Sequence, residues 1–205
     1  MASPLHVAVE MALRRQQQGT GSSRLFNTER KAMTQWPRLE FLEPLFGVIG
    51  AVGMRMYAPE RATRDLDIVV VAADFDEAER RLTAVGWQPV AKLSVGGSSW
   101  RSADGQQDVD VLFRREPWWP DVIAEAQSNR DDQGLPVIPL KGQVWLKLMA
   151  GRTVDAGDLS RLLGLASDSQ LDEVRAFLKD HADARDVQDF ESLVQLGKLE
   201  FGERA

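Results

Sequence analysis

The stretch Asp65-Leu66-Asp67-Ile68-Val69-Val70-Val71 constrains this chain more than any other. An apolar, β-branched run of this length reads as a strand. Side chains alternate with period 2 along a strand, so Asp65 and Asp67 share one face. Two carboxylates held that close repel each other unless something positive lies between them. A divalent, oxygen-preferring cation resolves the conflict. Mg²⁺ held by carboxylates and substrate phosphates fits best, with Mn²⁺ as the alternative. The strand therefore points to phosphate chemistry.

Composition narrows the setting. The 205 residues suffice for one ample core or two small lobes packed together. No apolar run approaches the ~20 residues of a membrane span. Pro4 to Leu13 is interrupted by His6 and Glu10, unlike a basic-then-apolar signal peptide. The absence of cysteine excludes disulfides, thiolate metal sites and a Cys nucleophile. The expected setting is the cytoplasm, with no membrane partner. A net charge of −6 argues against general nucleic-acid binding by bulk electrostatics. The charge is uneven, however: residues 1–64 carry nine Lys/Arg against five Asp/Glu, a balance of +4, which leaves −10 for the rest. A local polyanion site on a basic face is compatible with that split.

The periodicities predict an amphipathic helix over 4–18, a Gly/Ser loop from Gln16 to Ser23, and a second helix over about 28–46, interrupted by Pro37. A short strand Phe46–Ile49 follows, then a turn at Gly50–Gly53 into a helix ending near Tyr57. Beyond the loop 58–63 come a strand over 65–72, a helix over 74–85, a strand over 88–94 and a turn at Gly96–Ser99. Strands around Trp100 and over 107–113 flank the hairpin signal Asp104-Gly105. A helix over 116–126 and an extended piece over 135–140 lead to four helices near 141–151, 155–166, 170–180 and 183–197. The expected architecture is α+β: a small mixed β-sheet core flanked by helices, then a C-terminal helical lobe. The expected segments are 1–45, 46–135 and 136–205. No internal repeat is visible.

Three features combine into a candidate site. Gly50 ends an apolar strand at a helix start, where free N–H groups favour anions, although a tight turn alone would also explain it. Asp65 and Asp67 open the next strand. Asp110 alternates with Val109 and Val111 on a later strand, where it could converge on the same metal, and an unpaired buried carboxylate would be costly.

Gly50-Ala51, thirteen residues, Asp65-Leu66-Asp67-Ile68 and then Asp110 together resemble the active-site pattern of the nucleotidyltransferase superfamily with a polymerase-β-like fold. The run Lys147-Leu148-Met149-Ala150-Gly151-Arg152-Thr153-Val154-Asp155-Ala156-Gly157-Asp158-Leu159 is similar to a segment of its AbiEii-like branch, which contains toxins of toxin–antitoxin systems. Arg61-Ala62-Thr63-Arg64-Asp65-Leu66-Asp67 resembles another motif of that branch. The resemblance covers roughly residues 45–165. It departs at Ala51, where the superfamily usually has Gly or Ser, so a phosphate-binding hydroxyl is missing while the backbone donors remain.

The resemblance implies roles for these residues. Asp65, Asp67 and Asp110 would be metal ligands and, with Lys147 and Asp155, catalytic. Gly50, Ala51, Arg64, Lys147, Arg152 and Asp158 would bind the nucleotide. Asp108, on the same strand face as Asp110, competes for the third carboxylate position. Asp155 also suits a helix N-terminus, and either Asp155 or Asp158 could orient Lys147 or Arg152. Arg61 and Arg64 could touch phosphates or simply balance the neighbouring carboxylates. The tryptophans, including Trp118, Trp119 and Trp145, read as core or interlobe packing. His6 and His181 are isolated, and 180–186 reads as a solvated helix junction.

The implied reaction is metal-dependent transfer of an NMP from an NTP to an acceptor hydroxyl. The branch implies RNA, tRNA in particular, as the acceptor, and an antitoxin as partner. A small-molecule antibiotic or a protein acceptor is the first alternative. A nucleotide-binding module of this fold without turnover is the second.

Overall fold

The computed structural model describes residues 36–59, 63 and 65–202. These fall into two compact units, one ending at Pro139 and the other beginning at Leu140.

The first unit is built on a five-stranded mixed sheet: β1 (Phe46–Ile49), β2 (Leu66–Val71), β3 (Gln88–Lys92), β4 (Gly97–Arg101) and β5 (Asp108–Arg114). Their order is β1-β2-β5-β4-β3, and only β2 and β5 run parallel. A parallel pair needs a long crossover. Here α2 (Phe75–Ala84) and the β3–β4 hairpin provide it. The other helices of this unit are the short α1 (Gly50–Met54) and α3 (Trp119–Ala126).

Alternation sorts the strands as their sequence predicts. Val48, Ile68, Val70, Val109 and Val111 are fully buried, in one cluster with Ala78 and Leu82 of α2 and with Trp87 and Trp100. On the opposite face, a methyl at Gly47 would run into Ile138 and press on Ala126 and Ile123. Glycine there lets α3 and the following segment approach β1. The outer edge of β1 is covered by that same segment. Val48 N donates to Pro136 O at 2.7 Å, and Ile138 N to Val48 O at 3.2 Å. The opposite edge, β3, is exposed along its length and carries Pro89 and Lys92, which discourage pairing with another chain.

The described part of one expected helix does not form. Residues 36–45 form an irregular stretch with a single 3₁₀ turn, Glu40–Leu42, where the periodicity suggested a helix. Pro44 removes a donor and holds Glu43 extended, at φ −61° and ψ 145°. The rest of that expected helix, and the one over 4–18, lie outside the described residues.

The second unit contains α4 (Leu140–Ala150), α5 (Thr153–Leu165), α6 (Asp168–His181) and α7 (Ala184–Phe201). The starts of α6 and α7 carry their own signals. Ser167 Oγ accepts the Gln170 N–H at 3.2 Å while Gln170 Oε1 accepts the Ser167 N–H at 2.9 Å, a reciprocal cap. Asp183 accepts from the N–H groups of Arg185 and Asp186, so the expected solvated helix junction forms and also carries an N-cap. Helices α5 and α7 cross at Gly164 and Gly197, where a methyl on either would overlap the other helix's backbone. Trp145 is buried and meets Phe177 edge-on, with centroids 6.0 Å apart. Trp119 is fully buried in the first unit. The expected α+β arrangement, a small mixed sheet with helices followed by a helical C-terminal region, is the observed one. Among the described residues no helix is long and apolar enough to cross a membrane.

Candidate active site

The two parallel strands determine where the carboxylates stand. Asp67 of β2 lies in register with Asp110 of β5, and on the other side Asp67 is paired with Ile49, the last residue of β1. Registered neighbours point to the same face, with backbones about 4.8 Å apart. Gly50, immediately after Ile49, has φ +65°, and a Cβ there would overlap the Asp67 carboxylate. Glycine is therefore required twice: for the left-handed backbone and for the space Asp67 occupies. Ala51 follows with its methyl buried, so only its backbone could serve a ligand.

Asp65 stands just outside β2 and is exposed. Its backbone carbonyl accepts the Thr63 hydroxyl at 3.3 Å. Arg61 and Arg64 lie outside the described residues. Asp108 is engaged elsewhere: both of its oxygens accept from Arg101, at 2.7 and 3.0 Å. That hydrogen bonding holds the Asp108 carboxyl below the ordinary carboxylate range. The Asp110 carboxylate has no such partner among the described residues. On its other side Asp110 is registered with Ser99 of β4. The sequence reading missed this hydroxyl because it placed Ser99 in the turn; strict alternation counted back from the core residue Trp100 would have found it.

The donor set suits a hard cation. Among the described residues no three Asp, Glu, His or Cys side chains converge as a metal cage. Mg²⁺ is commonly bound by one or two carboxylates, with phosphates and water completing the shell. Asp67 and Asp110, side by side with no Cβ at Gly50 to crowd them, match that mode.

The remaining candidates belong to the second unit. Lys147 is buried on α4; its Nζ donates to Asp158 at 2.6 Å and lies 3.5 Å from Asp155. Arg152 grips Asp155 through Nε at 2.8 Å and Nη2 at 3.1 Å, while its own side chain stays 67% exposed. Asp155 also accepts the Arg152 backbone N–H at 3.3 Å, which closes the start of α5. Burial pushes the Asp155 carboxyl up, but the Arg152 hydrogen bonds and the two cations outweigh it, and the group sits below its usual value. The Lys147–Asp158 run thus forms one ionic cluster around the α4–α5 turn.

No family model and no curated protein matches this chain. Among solved structures it is similar to ANT(2'')-Ia in complex with adenylyl-2''-tobramycin, at 15% identity and a TM-score of 0.39, covering 75% of this chain and 87% of that one. It is also similar to the Vibrio cholerae DncV cyclic AMP-GMP synthase bound to a linear intermediate, at 14% identity and a TM-score of 0.25, covering 94% of this chain and 62% of that one.

Proposed function

We propose that this chain is a metal-dependent nucleotidyltransferase of the AbiEii-like kind, moving an NMP from an NTP to a hydroxyl of RNA, with tRNA the preferred class. The observation that carries the reading is the registered Asp67–Asp110 pair, with Gly50 set against Asp67.

In this reading Asp67 and Asp110 hold Mg²⁺, or Mn²⁺ in its place, with Asp65 joining from the strand entrance. The metal supplies charge neutralisation at the phosphates and lowers the pKa of the attacking hydroxyl. The chain's own residues do the rest. The backbone N–H groups at Gly50-Ala51 bind phosphate oxygens, and Asp110 accepts the proton of the acceptor hydroxyl. That oxygen forms a bond to the α-phosphorus as the bond to the bridging oxygen breaks, and pyrophosphate leaves in line. The family resemblance assigns Lys147, Arg152 and Arg64 to the triphosphate; within the second unit Asp158 and Asp155 hold Lys147 and Arg152 in place. A toxin role with an antitoxin partner in the cytoplasm accompanies this reading.

The test is incorporation of label from each α-labelled NTP, with Mg²⁺ and total RNA. Labelled RNA is expected from the wild type and not from Asp67→Ala; undiminished labelling in that variant would remove the site. The net charge of −6 favours a second reading, a small-molecule or protein acceptor. Label appearing on an aminoglycoside or on protein instead of RNA would select it. NTP binding without transfer would point to a module that has lost turnover.

A further inference from the structure

The far end of β5 carries a second cationic feature. Phe113, Arg114, Arg115 and Glu116 line a cleft of about 600 Å³ together with Ser94, Val95 and Gly96 of the β3–β4 turn. The half-buried Arg114 guanidinium donates through Nη1 to the Phe113 carbonyl at 3.1 Å. It forms no ion pair among the described residues. Burial lowers its pKa, with Glu116 acting weakly in the opposite sense. A guanidinium has five N–H donors, and the one hydrogen bond to the Phe113 carbonyl leaves others available to an anion in the cleft.

Arg115 lies 4.4 Å from the Phe113 ring centroid, and Phe75 meets that ring edge-on at 4.9 Å. An aromatic face therefore holds this second cation. Glu116 is occupied in part by the Arg115 backbone N–H, at 3.1 Å. The turn is closed by Leu93 N to Gly97 O at 2.9 Å and Gly96 N to Leu93 O at 3.1 Å. Those bonds leave the Ser94 and Val95 N–H groups and the Ser94 hydroxyl without hydrogen bonds among the described residues.

We propose that this cleft is a second, metal-independent site for the phosphate or diphosphate group of a small ligand. Two guanidinium-bearing residues, a serine and turn backbone line it together, and guanidinium, hydroxyl and N–H are the donors that a phosphate oxyanion accepts from. The lining carries two positive charges against one, a net positive charge that favours an anion. The Glu116 carboxylate would repel a nucleic-acid backbone laid across the cleft, and its volume is that of a small-molecule site. Arg114 is four residues beyond Asp110, roughly 13 Å along the strand. The site is thus separate from the one proposed for catalysis and stands whether or not that reading holds.

The experiment is calorimetric titration of the full chain with pyrophosphate, and in parallel with inorganic phosphate, in EDTA at constant ionic strength. Saturable binding is expected, unchanged in Asp67→Asn and weakened roughly tenfold or more in Arg114→Met. Ser94→Asp places a like charge at an exposed turn position and should abolish binding even if Arg114→Met does not fold. Absence of saturation, unchanged affinity in Ser94→Asp, or loss of binding in Asp67→Asn would each overturn the proposal. Stronger binding of pyrophosphate than of phosphate would identify a diphosphate ligand, and the reverse a monophosphate.

Discussion

Gly50 is where backbone conformation and site chemistry meet. A residue with a Cβ at φ +65° is strained by about 1–2 kcal/mol, and here the added atom would also displace the Asp67 carboxylate. Gly50→Ala is therefore expected to lower chemical stability by about that amount and to slow label transfer roughly 10²-fold, the cost of misplacing a reacting group by about an ångström. Denaturant midpoints and initial rates measured on the same variant would separate the two effects. The neighbouring carboxylates make an internal control. Asp108 is bound to Arg101, while Asp110 stands beside Asp67. Asp110→Asn should reduce the transfer rate by roughly 10²–10⁴-fold, whereas Asp108→Asn should change it by no more than about twofold. Equal losses in the two variants would show that the strand, and not one carboxylate, was being read.

At the scale of elements, the α4–α5 cluster and the α5–α7 crossing are the most demanding contacts of the helical unit. Replacing Lys147 by Met leaves Asp155 and Asp158 buried with less positive charge, a change expected to destabilise the fold by about 3–5 kcal/mol in urea titrations. The cluster also makes a pH signature. The folded pKa of Asp155 lies below its unfolded value, so its stabilising contribution is complete above about pH 4. That contribution is lost as the pH falls through the lowered folded value. Urea midpoints measured down the acid range should fall less steeply for Asp155→Asn than for the wild type. Gly164→Ala or Gly197→Ala would force the two helices apart, at a cost of about 1–3 kcal/mol, readable as a lowered thermal midpoint with helical circular dichroism retained below it.

For the whole molecule, the apolar core of the sheet is closed without help from the Asp67–Asp110 face. Chelation with EDTA is expected to abolish nucleotide transfer while moving the thermal midpoint by less than about 2 °C. Adding Mg²⁺ with NTP should raise the midpoint with the logarithm of ligand concentration. A large collapse on chelation would mean that the metal had a structural role elsewhere.

Much of this was legible in the chain because it is local. The alternation of 65–71, the Asp104-Gly105 turn and the helical periodicity after Lys141 depend only on near neighbours, and each forms the element its pattern indicates. Pro44 is as local a signal, and reading it in place of the apolar spacing would have kept the expected helix from running through the described stretch 36–45. By contrast, side-chain period within 107–113 does not tell Asp108 from Asp110, and only the family resemblance favoured Asp110. The two share a face, and only the antiparallel partner Arg101 and the parallel partner Asp67 separate them. Lys147 likewise looks like an ordinary helix cation until α5 folds back to bury it between two carboxylates. The sequence by itself determined the elements and the Asp65–Asp67 spacing, since side-chain period and turn chemistry are properties of consecutive residues. The tertiary structure alone decided which carboxylate stands beside Asp67 and which is neutralised, because register and burial come from residues distant in the chain.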